Sequence, residues 1–222
     1  MSAPRAALSW SSGKDCAFAL HETRRQGLAD VVAALTTTHD ATGTVAMHGT
    51  RNELLTRQVA AMGLEQITVP LPWPCSNADY EARMETAVAQ LKSHGITHMI
   101  FGDLFLEDVR QYREAKLAGT GITPLFPLWG RDTAALAREM IAQGFDTRIV
   151  TVDLAKLDAS FAGRKFDESF LADLPPGIDP CGENGEFHTA VVAGPIFDAP
   201  IPVQTGETTT RDGFAYADLI PC

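Results

Sequence analysis

The stretch that decides the fold reads Ala6-Ala7-Leu8-Ser9-Trp10-Ser11-Ser12-Gly13-Lys14-Asp15-Cys16, close to the N-terminus. It opens as an apolar run, continues as a loop of small residues with one lysine, and leads at once into an amphipathic stretch. This order predicts a short strand, a loop and the start of a helix. Small residues let backbone N–H groups approach an anion, while the helix N-terminus and Lys14 add positive charge. The stretch therefore predicts a phosphate-binding site.

Two other interpretations of this loop are weaker. It does not match the Walker A pattern, because Leu8 stands where that pattern needs glycine and Asp15 where it needs serine or threonine. An ordinary strand-to-helix turn capped by Ser12 and Asp15 is the second alternative. The adjacent lysine and aspartate favour a nucleotide site, in which Lys14 holds phosphate oxygens and Asp15 holds Mg²⁺ or its water ligands.

The composition limits the class of protein. The chain has 222 residues, 45% of them hydrophobic, and a formal net charge of −10. The acidity disfavours an extended nucleic-acid surface, which needs Lys and Arg. No apolar run approaches the roughly 20 residues of a membrane span, and the N-terminus does not resemble a signal peptide. Four cysteines without a C-x-x-C pair indicate free thiols, so we expect a cytoplasmic protein.

Strand and helix signals alternate over the first part of the chain. Apolar, β-branched runs at residues 31–35, 66–69 and 97–101 predict strands, and amphipathic stretches between them predict helices. This alternation is typical of a parallel sheet with helices on both faces, over residues 1–130. After residue 130 the pattern changes to mixed α/β signals, beginning with a helix that Asp132 can cap. These signals predict a smaller C-terminal domain over residues 131–222.

Two strand ends become informative in such a sheet, because ligands bind beyond the carboxyl ends of parallel strands. The run at 31–35 leads into Thr36-Thr37-Thr38, and the run at 97–101 leads into Gly102-Asp103. We expect Thr36, Thr37, Gly102 and Asp103 to contact the nucleotide, with the base near the threonines. Gly102 would allow a base or ribose to approach closely, and a plain tight turn is the alternative.

Charged residues crowd a predicted helix just after the second of these strand ends, namely Glu107, Asp108, Arg110, Arg113 and Glu114. Arg110 and Glu114 are four residues apart, so a surface ion pair is one interpretation. The position beside the crevice favours a functional role, in which Arg110 binds the substrate carboxylate or the α-phosphate.

A second cluster, Glu183, Asn184, Glu186 and His188, lies where a loop leads into a strand. Asn184-Gly185 is typical of a hairpin turn. If the strand alternates from Glu186, then Glu186 and His188 share one face, which we expect to meet the crevice. Glu186 would then position a metal, water or ammonia, and His188 would transfer a proton. The remaining histidines considered, expected at the surface or in caps, are His21, His48, His94 and His98.

Four segments resemble known families. The loop Ser11–Cys16 resembles the S-G-G-K-D-S PP-loop of the adenine nucleotide alpha hydrolase-like superfamily. Residues 102–114 look like the segment after the fourth strand of diphthine–ammonia ligases, and residues 179–189 look like the G-E-x-G-E signature of that family. Residues 127–129 match its P-L-W element. In combination the motifs identify the chain as similar to diphthine–ammonia ligases.

This resemblance implies an α/β fold with a Rossmann-like parallel sheet of the PP-loop (HUP) type. It implies an ATP-dependent, Mg²⁺-requiring enzyme that adenylates a small-molecule or protein carboxylate and amidates it with ammonia or an amine, releasing AMP and pyrophosphate. The nucleotide-binding residues would include Ser11, Ser12, Gly13, Lys14, Asp15 and Cys16. The catalytic residues would be Lys14, Asp15, Arg110, Glu114, Glu186 and His188. The residues that bind the acceptor substrate would be Glu107, Arg110, Glu183 and Asn184.

The chain departs from the family patterns, so we expect different substrate contacts and a bacterial-type member. Ser12 and Cys16 differ from the PP-loop, and Tyr112 replaces the second arginine of the family's Y-Q-R-x-R-V-E pattern. His188 stands where the eukaryotic relatives carry an acidic residue.

Two other functions and a homodimer stay open. The chain can be a PP-loop enzyme that adenylates a nucleotide or tRNA carbonyl for sulfur or nitrogen insertion. It can also be a non-catalytic ATP- or AMP-binding protein, which Cys16 supports because a thiol is a weak hydrogen-bond donor.

Overall fold

A computed structural model describes residues 3–46 and 48–222 of the chain. Its first sheet has five parallel strands in the spatial order β3-β2-β1-β4-β5. The strands are β1 (Arg5–Ser9), β2 (Asp30–His39), β3 (Glu65–Leu71), β4 (His98–Ile100) and β5 (Thr123–Leu125). The helices that connect and cover them are α1 (Lys14–Gln26), α2 (Asn52–Ala61), α3 (Asn77–Ser93) and α4 (Glu107–Leu117). The predicted Rossmann-like parallel sheet is confirmed.

The C-terminal part forms a second, antiparallel sheet in the spatial order β7-β6-β9-β8. Its strands are β6 (Asp146–Asp153), β7 (Phe187–Ala193), β8 (Val203–Arg211) and β9 (Phe214–Pro221). Two helices accompany it, α5 (Thr133–Ala142) and α6 (Glu168–Asp173). The side chain of Asp132 caps α5 by accepting the N–H of Ala135, as the sequence predicts. The division of the chain between residues 130 and 131 stays a prediction.

The two sheets share one hydrophobic core. A single cluster of buried residues joins Leu8 of β1 and Phe18 of α1 to Phe145, Ile149 and Phe187 of the second sheet region. A second cluster covers the opposite face of the first sheet, where α3 and α4 pack. Among the described residues, no helix is both long enough and apolar enough to cross a membrane.

Three sequence expectations about local structure are wrong. The strand expected to end at Leu35 continues to His39, because the β-branched Thr36 and Thr37 pair with Thr68 and Val69 of β3. No strand is expected from the sequence over β8, because this exposed edge strand lacks apolar alternation. Asn184-Gly185 does not close a hairpin, since the strand that pairs with β7 is β6 and α6 intervenes between them.

Candidate active site

Two connected cavities lie at the carboxyl edge of the first sheet. The smaller, of about 270 Å³, surrounds the N-terminus of α1 and includes Lys14, Asp15, Asp103 and Glu183 in its wall. The larger, of about 590 Å³, lies between the sheet and helices α3 and α4. Six residues line both cavities and so mark their junction, namely Ser9, Ser11, His48, Phe101, Arg113 and His188.

The larger cavity is mostly apolar. Its wall includes Leu35, Met84 and Met99 together with the aromatic rings of Trp10 and Tyr80. The indole Nε1 of Trp10 is buried and has no hydrogen-bond partner among the described residues. Apolar walls with a few directed polar groups are typical of small-molecule pockets, and an unpartnered donor favours a ligand that carries an acceptor.

The loop Ser11–Cys16, called the phosphate loop below after the site predicted for it, is held by hydrogen bonds to its backbone from the side opposite the cavity. The carbonyl of Ser12 accepts the N–H of Val191 at 3.0 Å and the side-chain amide of Gln58 at 3.3 Å. Because C=O and N–H point in opposite directions across a trans peptide, the N–H of Gly13 is directed away from Val191. Gly13 is the N-cap of α1 and no side chain caps the helix locally. The alternative of a turn capped by Ser12 and Asp15 is therefore wrong.

Thr189 of β7 supplies what the loop lacks. Its hydroxyl accepts the N–H of Lys14 at 3.1 Å, and its carbonyl lies 3.0 Å from Nδ1 of His48. Thr189, at the end of the segment that carries Glu183 and His188, thus lies against the phosphate loop. This contact brings His188 into the walls of both cavities.

The side chain of Lys14 is buried, with 2% of its surface exposed. Its Nζ donates to Oδ2 of Asp15 at 2.9 Å and to the carbonyl of Cys181, and it lies over the rings of Phe166 and Phe187. Burial is the largest single influence and lowers the pKa of Lys14, but the charges of Asp15, Cys181 and Glu183 and the hydrogen bond to Asp15 together outweigh it, so the net pKa is raised. The lysine therefore stays protonated inside the wall of the smaller cavity.

Cys16 also lies in this wall, as a neutral thiol. Its Sγ donates to the carbonyl of Gly13 at 3.1 Å and lies 3.4 Å from Oγ of Ser11. Burial raises the pKa of Cys16 to about 11, so the thiol does not ionise near neutral pH.

Gly102 approaches the protein rather than an open ligand site. A Cβ added to Gly102 would lie 2.6 Å from the backbone nitrogen of Cys16 and 2.7 Å from the carbonyl carbon of Asp15. The glycine therefore lets the end of β4 pack against the first turn of α1. The expectation that this position serves close approach of a base or ribose is corrected, although Gly102 does line the smaller cavity.

The arginine at the junction is Arg113, not Arg110. Arg113 lines both cavities, its guanidinium lies 4.4 Å from the centre of the Phe101 ring, and its Nη2 donates to Oδ1 of Asp103 at 3.0 Å. Its Nε is 2.7 Å from Oδ2 of Asp103, without hydrogen-bond geometry. Arg110 instead pairs with Glu114 at 2.8 Å and stacks over Trp129.

Several expected site residues lie outside both cavities. Arg110 and Glu114 form the surface ion pair that the sequence analysis gave as the alternative, and Glu107 accepts from Gln111 on the exposed face of α4. Thr36 is buried within the sheet, and only Thr37 reaches the larger cavity. The expectation that these residues line the crevice is therefore wrong for Arg110, Glu114, Glu107 and Thr36. The three residues of α4 lie on a face of the helix that is turned away from the cavities, and the alternation along β2 turns Thr36 to the other side of the sheet from Thr37.

The C-terminal cluster divides in the same way. Glu183 and His188 line the smaller cavity. Glu186 is buried beneath the loop, where its Oε1 accepts the N–H of Asp179 at 3.2 Å and the amide of Asn184 at 3.1 Å. Neither Glu186 nor Asn184 lines a cavity, so the expectation that Glu186 and His188 share a face on the crevice is wrong. Glu186 orders the loop that carries Glu183.

Four residues of the site were given no role there from the sequence, namely Trp10, His48, Arg113 and Thr189. A signal existed for two of them. Trp10 directly follows β1, and Arg113 lies one helical turn beyond Arg110. His48 was expected in a surface or cap position, but it reaches the site through contacts with a strand far along the chain.

The donor set fits Mg²⁺ only together with a bound phosphate. No group of three or more His, Cys, Asp or Glu side chains within residues 3–46 and 48–222 is arranged to hold a metal ion. Oδ1 of Asp15 is buried in the cavity wall with no hydrogen-bond partner among those residues. One carboxylate oxygen plus phosphate oxygens and waters is a usual coordination for Mg²⁺.

Comparison with known proteins identifies relatives of this chain. Residues 132–219 match the family model described as Diphthamide synthase C-terminal domain. A diphthine–ammonia ligase of Rattus norvegicus is 34% identical over 103 residues, which are 44% of this chain and 39% of the relative. A diphthine–ammonia ligase of Danio rerio is 32% identical over 120 residues, which are 51% of this chain and 47% of the relative. The aligned region thus spans less than half the length of these curated relatives.

Proposed function

We propose that this chain, which is similar to diphthine–ammonia ligases over about half of its length, is an ATP-dependent ligase that joins ammonia or an amine to a carboxylate. ATP activates the carboxylate as an acyl adenylate and releases pyrophosphate, and the amine then displaces AMP to leave an amide. The observation that carries the proposal is the pair of connected cavities, one polar and built on the phosphate loop, the other apolar.

The shapes and walls of the two cavities suggest how ATP binds. The triphosphate would occupy the smaller cavity at the N-terminus of α1, where the helix dipole and backbone N–H groups favour an anion. The adenosine would occupy the larger cavity between Leu35 and Met84, where Trp10 offers an unpartnered N–H. The α-phosphate would then lie at the junction.

The charged residues of the junction and the smaller cavity can stabilise the transition state. Arg113 is held by Asp103 and Phe101 with its guanidinium in the wall of both cavities, so it can pair with the α-phosphate as the carboxylate attacks. Lys14 can exchange its bond to Asp15 for a phosphate oxygen of the departing pyrophosphate. Asp15 would hold Mg²⁺, which neutralises phosphate charge when bound.

The acceptor is a carboxylate of a small molecule or protein, and the nitrogen donor is ammonia or an amine. The similar proteins are named diphthine–ammonia ligases, and this similarity supports ammonia as the donor here. The carboxylate would reach the junction through the open side of the larger cavity, past Tyr112 and Lys116.

Isothermal titration calorimetry with ATP and Mg²⁺ tests the nucleotide site. We expect Lys14→Ala to weaken ATP binding by about tenfold or more, because hydrogen bonds to charged groups contribute about 1.5–3 kcal/mol. The exposed Lys92 provides the matched control, and Lys92→Ala should bind ATP as the unchanged protein does. Equal affinities for both variants would refute the site.

Product analysis tests the reaction. The protein is incubated with ATP, Mg²⁺, ammonium and a library of small carboxylates, and nucleotides are separated by chromatography. We expect AMP and pyrophosphate. ADP and orthophosphate as sole products, from protein free of contaminating ATPase, would refute the ligase. ATP binding without turnover across the library and with protein acceptors would favour a non-catalytic nucleotide-binding protein.

A further inference from the structure

The imidazoles of His48 and His188 face each other at the junction of the two cavities, with ring centres 4.7 Å apart and planes inclined by 34°. Both rings line both cavities, so they flank the place where the adenylate would react. We propose that this pair binds ammonia or a primary amine and accepts its protons during amide formation. The inference rests on the proposed function, because it gives the binding site of the amine that attacks the adenylate.

His48 is held firmly in this position. Its Nδ1 lies 3.0 Å from the carbonyl of Thr189, its own carbonyl accepts the hydroxyl of Thr151 at 3.1 Å, and its N–H donates to Ala46. Because a carbonyl only accepts, Nδ1 must carry the proton, and Nε2 therefore keeps its lone pair. The edge of the same ring packs against the phosphate loop, since a Cβ on Gly13 would lie 3.0 Å from Cε1 of His48.

The pair is neutral in the free protein. Burial lowers the pKa of His48 to about 3; protonation of His188 and the charge of Lys14 act in the same direction, and the hydrogen bond to the Thr189 carbonyl opposes them. Burial likewise lowers the pKa of His188 to about 4, with Lys14 and Lys156 contributing. Two neutral imidazoles present lone pairs and do not repel an ammonium ion. The phosphate of a bound acyl adenylate, and pyrophosphate that has not yet left, add negative charge nearby and raise both pKa values, which makes the rings better proton acceptors when substrate is present.

The proton balance requires two acceptors, and the site offers two. An ammonium ion gives one proton to Nε2 of His48, and the freed lone pair of nitrogen forms a bond to the acyl carbon of the adenylate. The nitrogen of the resulting intermediate gives a second proton to His188. The bond from the acyl carbon to the phosphate oxygen then breaks, and AMP leaves with the electron pair. Both protons pass to solvent.

Nuclear magnetic resonance of protein carrying ¹⁵N-labelled histidine tests the pair without any acceptor substrate. Ammonium chloride is added near pH 7, with and without ATP, and tetramethylammonium chloride at equal ionic strength is the control salt because it cannot donate hydrogen bonds. We expect His48 to appear as the Nδ1–H tautomer. Ammonium should shift the Nε2 resonances of His48 and His188 in a saturable way, while His98, which bonds the Thr97 hydroxyl, should not respond.

Two variants test whether the rings act together. In His188→Leu we expect the affinity for ammonium reported by His48 to fall by about tenfold, and the same for His188 in His48→Leu, because leucine accepts no hydrogen bond and each variant therefore removes one of two acceptors. Equal responses to both salts, or unchanged affinity in both variants, would overturn the proposal. Calorimetry with ATP on the same samples separates the two ideas. ATP binding without an ammonium response would refute only the role of the histidine pair. An ammonium response without ATP binding would refute the proposed ligase function.

Discussion

The hydroxyl of Thr189 accepts the backbone N–H of Lys14 at 3.1 Å, so a strand of the second sheet caps the helix that follows the phosphate loop. The first N–H groups of a helix have no partner within it, and here the local N-cap, Gly13, has no side chain to supply one. The bond therefore links the phosphate loop to the C-terminal part of the chain.

Replacing Thr189 with valine should destabilise the protein. The change keeps the shape of this buried side chain and removes the cap, and loss of such a cap costs about 1 kcal/mol. Chemical denaturation of Thr189→Val and of the control Thr189→Ser measures the difference in the free energy of unfolding. We expect the serine variant, which keeps the hydroxyl, to lose much less stability. Equal losses in both would show that the methyl group, not the cap, matters.

Replacing Ser12 with glycine should stabilise the protein by about 1 kcal/mol, because a left-handed backbone conformation is costly for residues other than glycine. Ser12 has φ +77°, and its buried Oγ has no hydrogen-bond partner among the described residues. Ser11→Gly is the control, since Ser11 lacks the positive φ and bonds Cys16. The midpoint of thermal unfolding should rise for Ser12→Gly only, and a fall would contradict the prediction.

Replacing Gly102 with alanine should destabilise the protein by about 2–3 kcal/mol, because the new Cβ would meet the backbone of Asp15 and Cys16. Gly206 is the matched control. A Cβ there would first meet Cδ1 of Ile220 at 3.0 Å, the flexible end of a side chain that can move. Unfolding in urea measures both variants, and a loss at Gly206 as large as at Gly102 would contradict the argument.

Arg113→Ala should weaken ATP binding, whereas Arg110→Ala should leave it unchanged. The two arginines lie one helical turn apart on α4, yet only Arg113 reaches the cavities. Calorimetry should show a loss of about tenfold or more for Arg113→Ala, since a charge-assisted contact to phosphate is removed. A loss at Arg110 with none at Arg113 would restore the assignment made from the sequence.

The stability of the protein should depend on Glu183 in a pH-sensitive way. Oε1 of Glu183 accepts the N–H of Leu104 at 2.8 Å. Burial raises its pKa from 4.5 to about 7, with the Leu104 N–H and Lys14 opposing the shift and Asp15 and Asp103 adding to it. Between these pH values the folded chain binds more protons than the unfolded chain. The contribution of Glu183 is therefore present below pH 4.5 and is lost as pH rises through 7.

Glu183→Gln keeps an oxygen for Leu104 and cannot ionise. We expect the melting temperature of this variant, relative to that of the unchanged protein, to increase as the pH is raised from acid to slightly alkaline values. Calorimetric melting at several pH values measures the difference, with Glu107→Gln on the exposed face of α4 as the control. A difference that stays constant with pH would show that the carboxyl ionises normally.

The sequence predicted those features that depend on neighbouring residues. The turn from β1 into α1, the alternation of strands and helices and the Asp132 cap each rest on residues that are close together in sequence, so the local pattern contains them. Arg113 was not singled out, because the rotation of α4 about its axis is fixed by packing, with Arg110 over Trp129. His48 was misplaced for a similar reason, since its position depends on the carbonyl of Thr189 in another sheet.

The carbonyl of Ser12 accepts hydrogen bonds from Val191 and Gln58, and the N–H of Lys14 donates to the hydroxyl of Thr189. The conformation of the loop is thus determined partly by residues that a local comparison of loops does not include. Recombination between relatives should therefore succeed when the exchanged piece carries the loop and β7 together. A hybrid that joins the loop of one relative to the strand of another would preserve both motifs and still lose the hydrogen bonds between the loop and the strand.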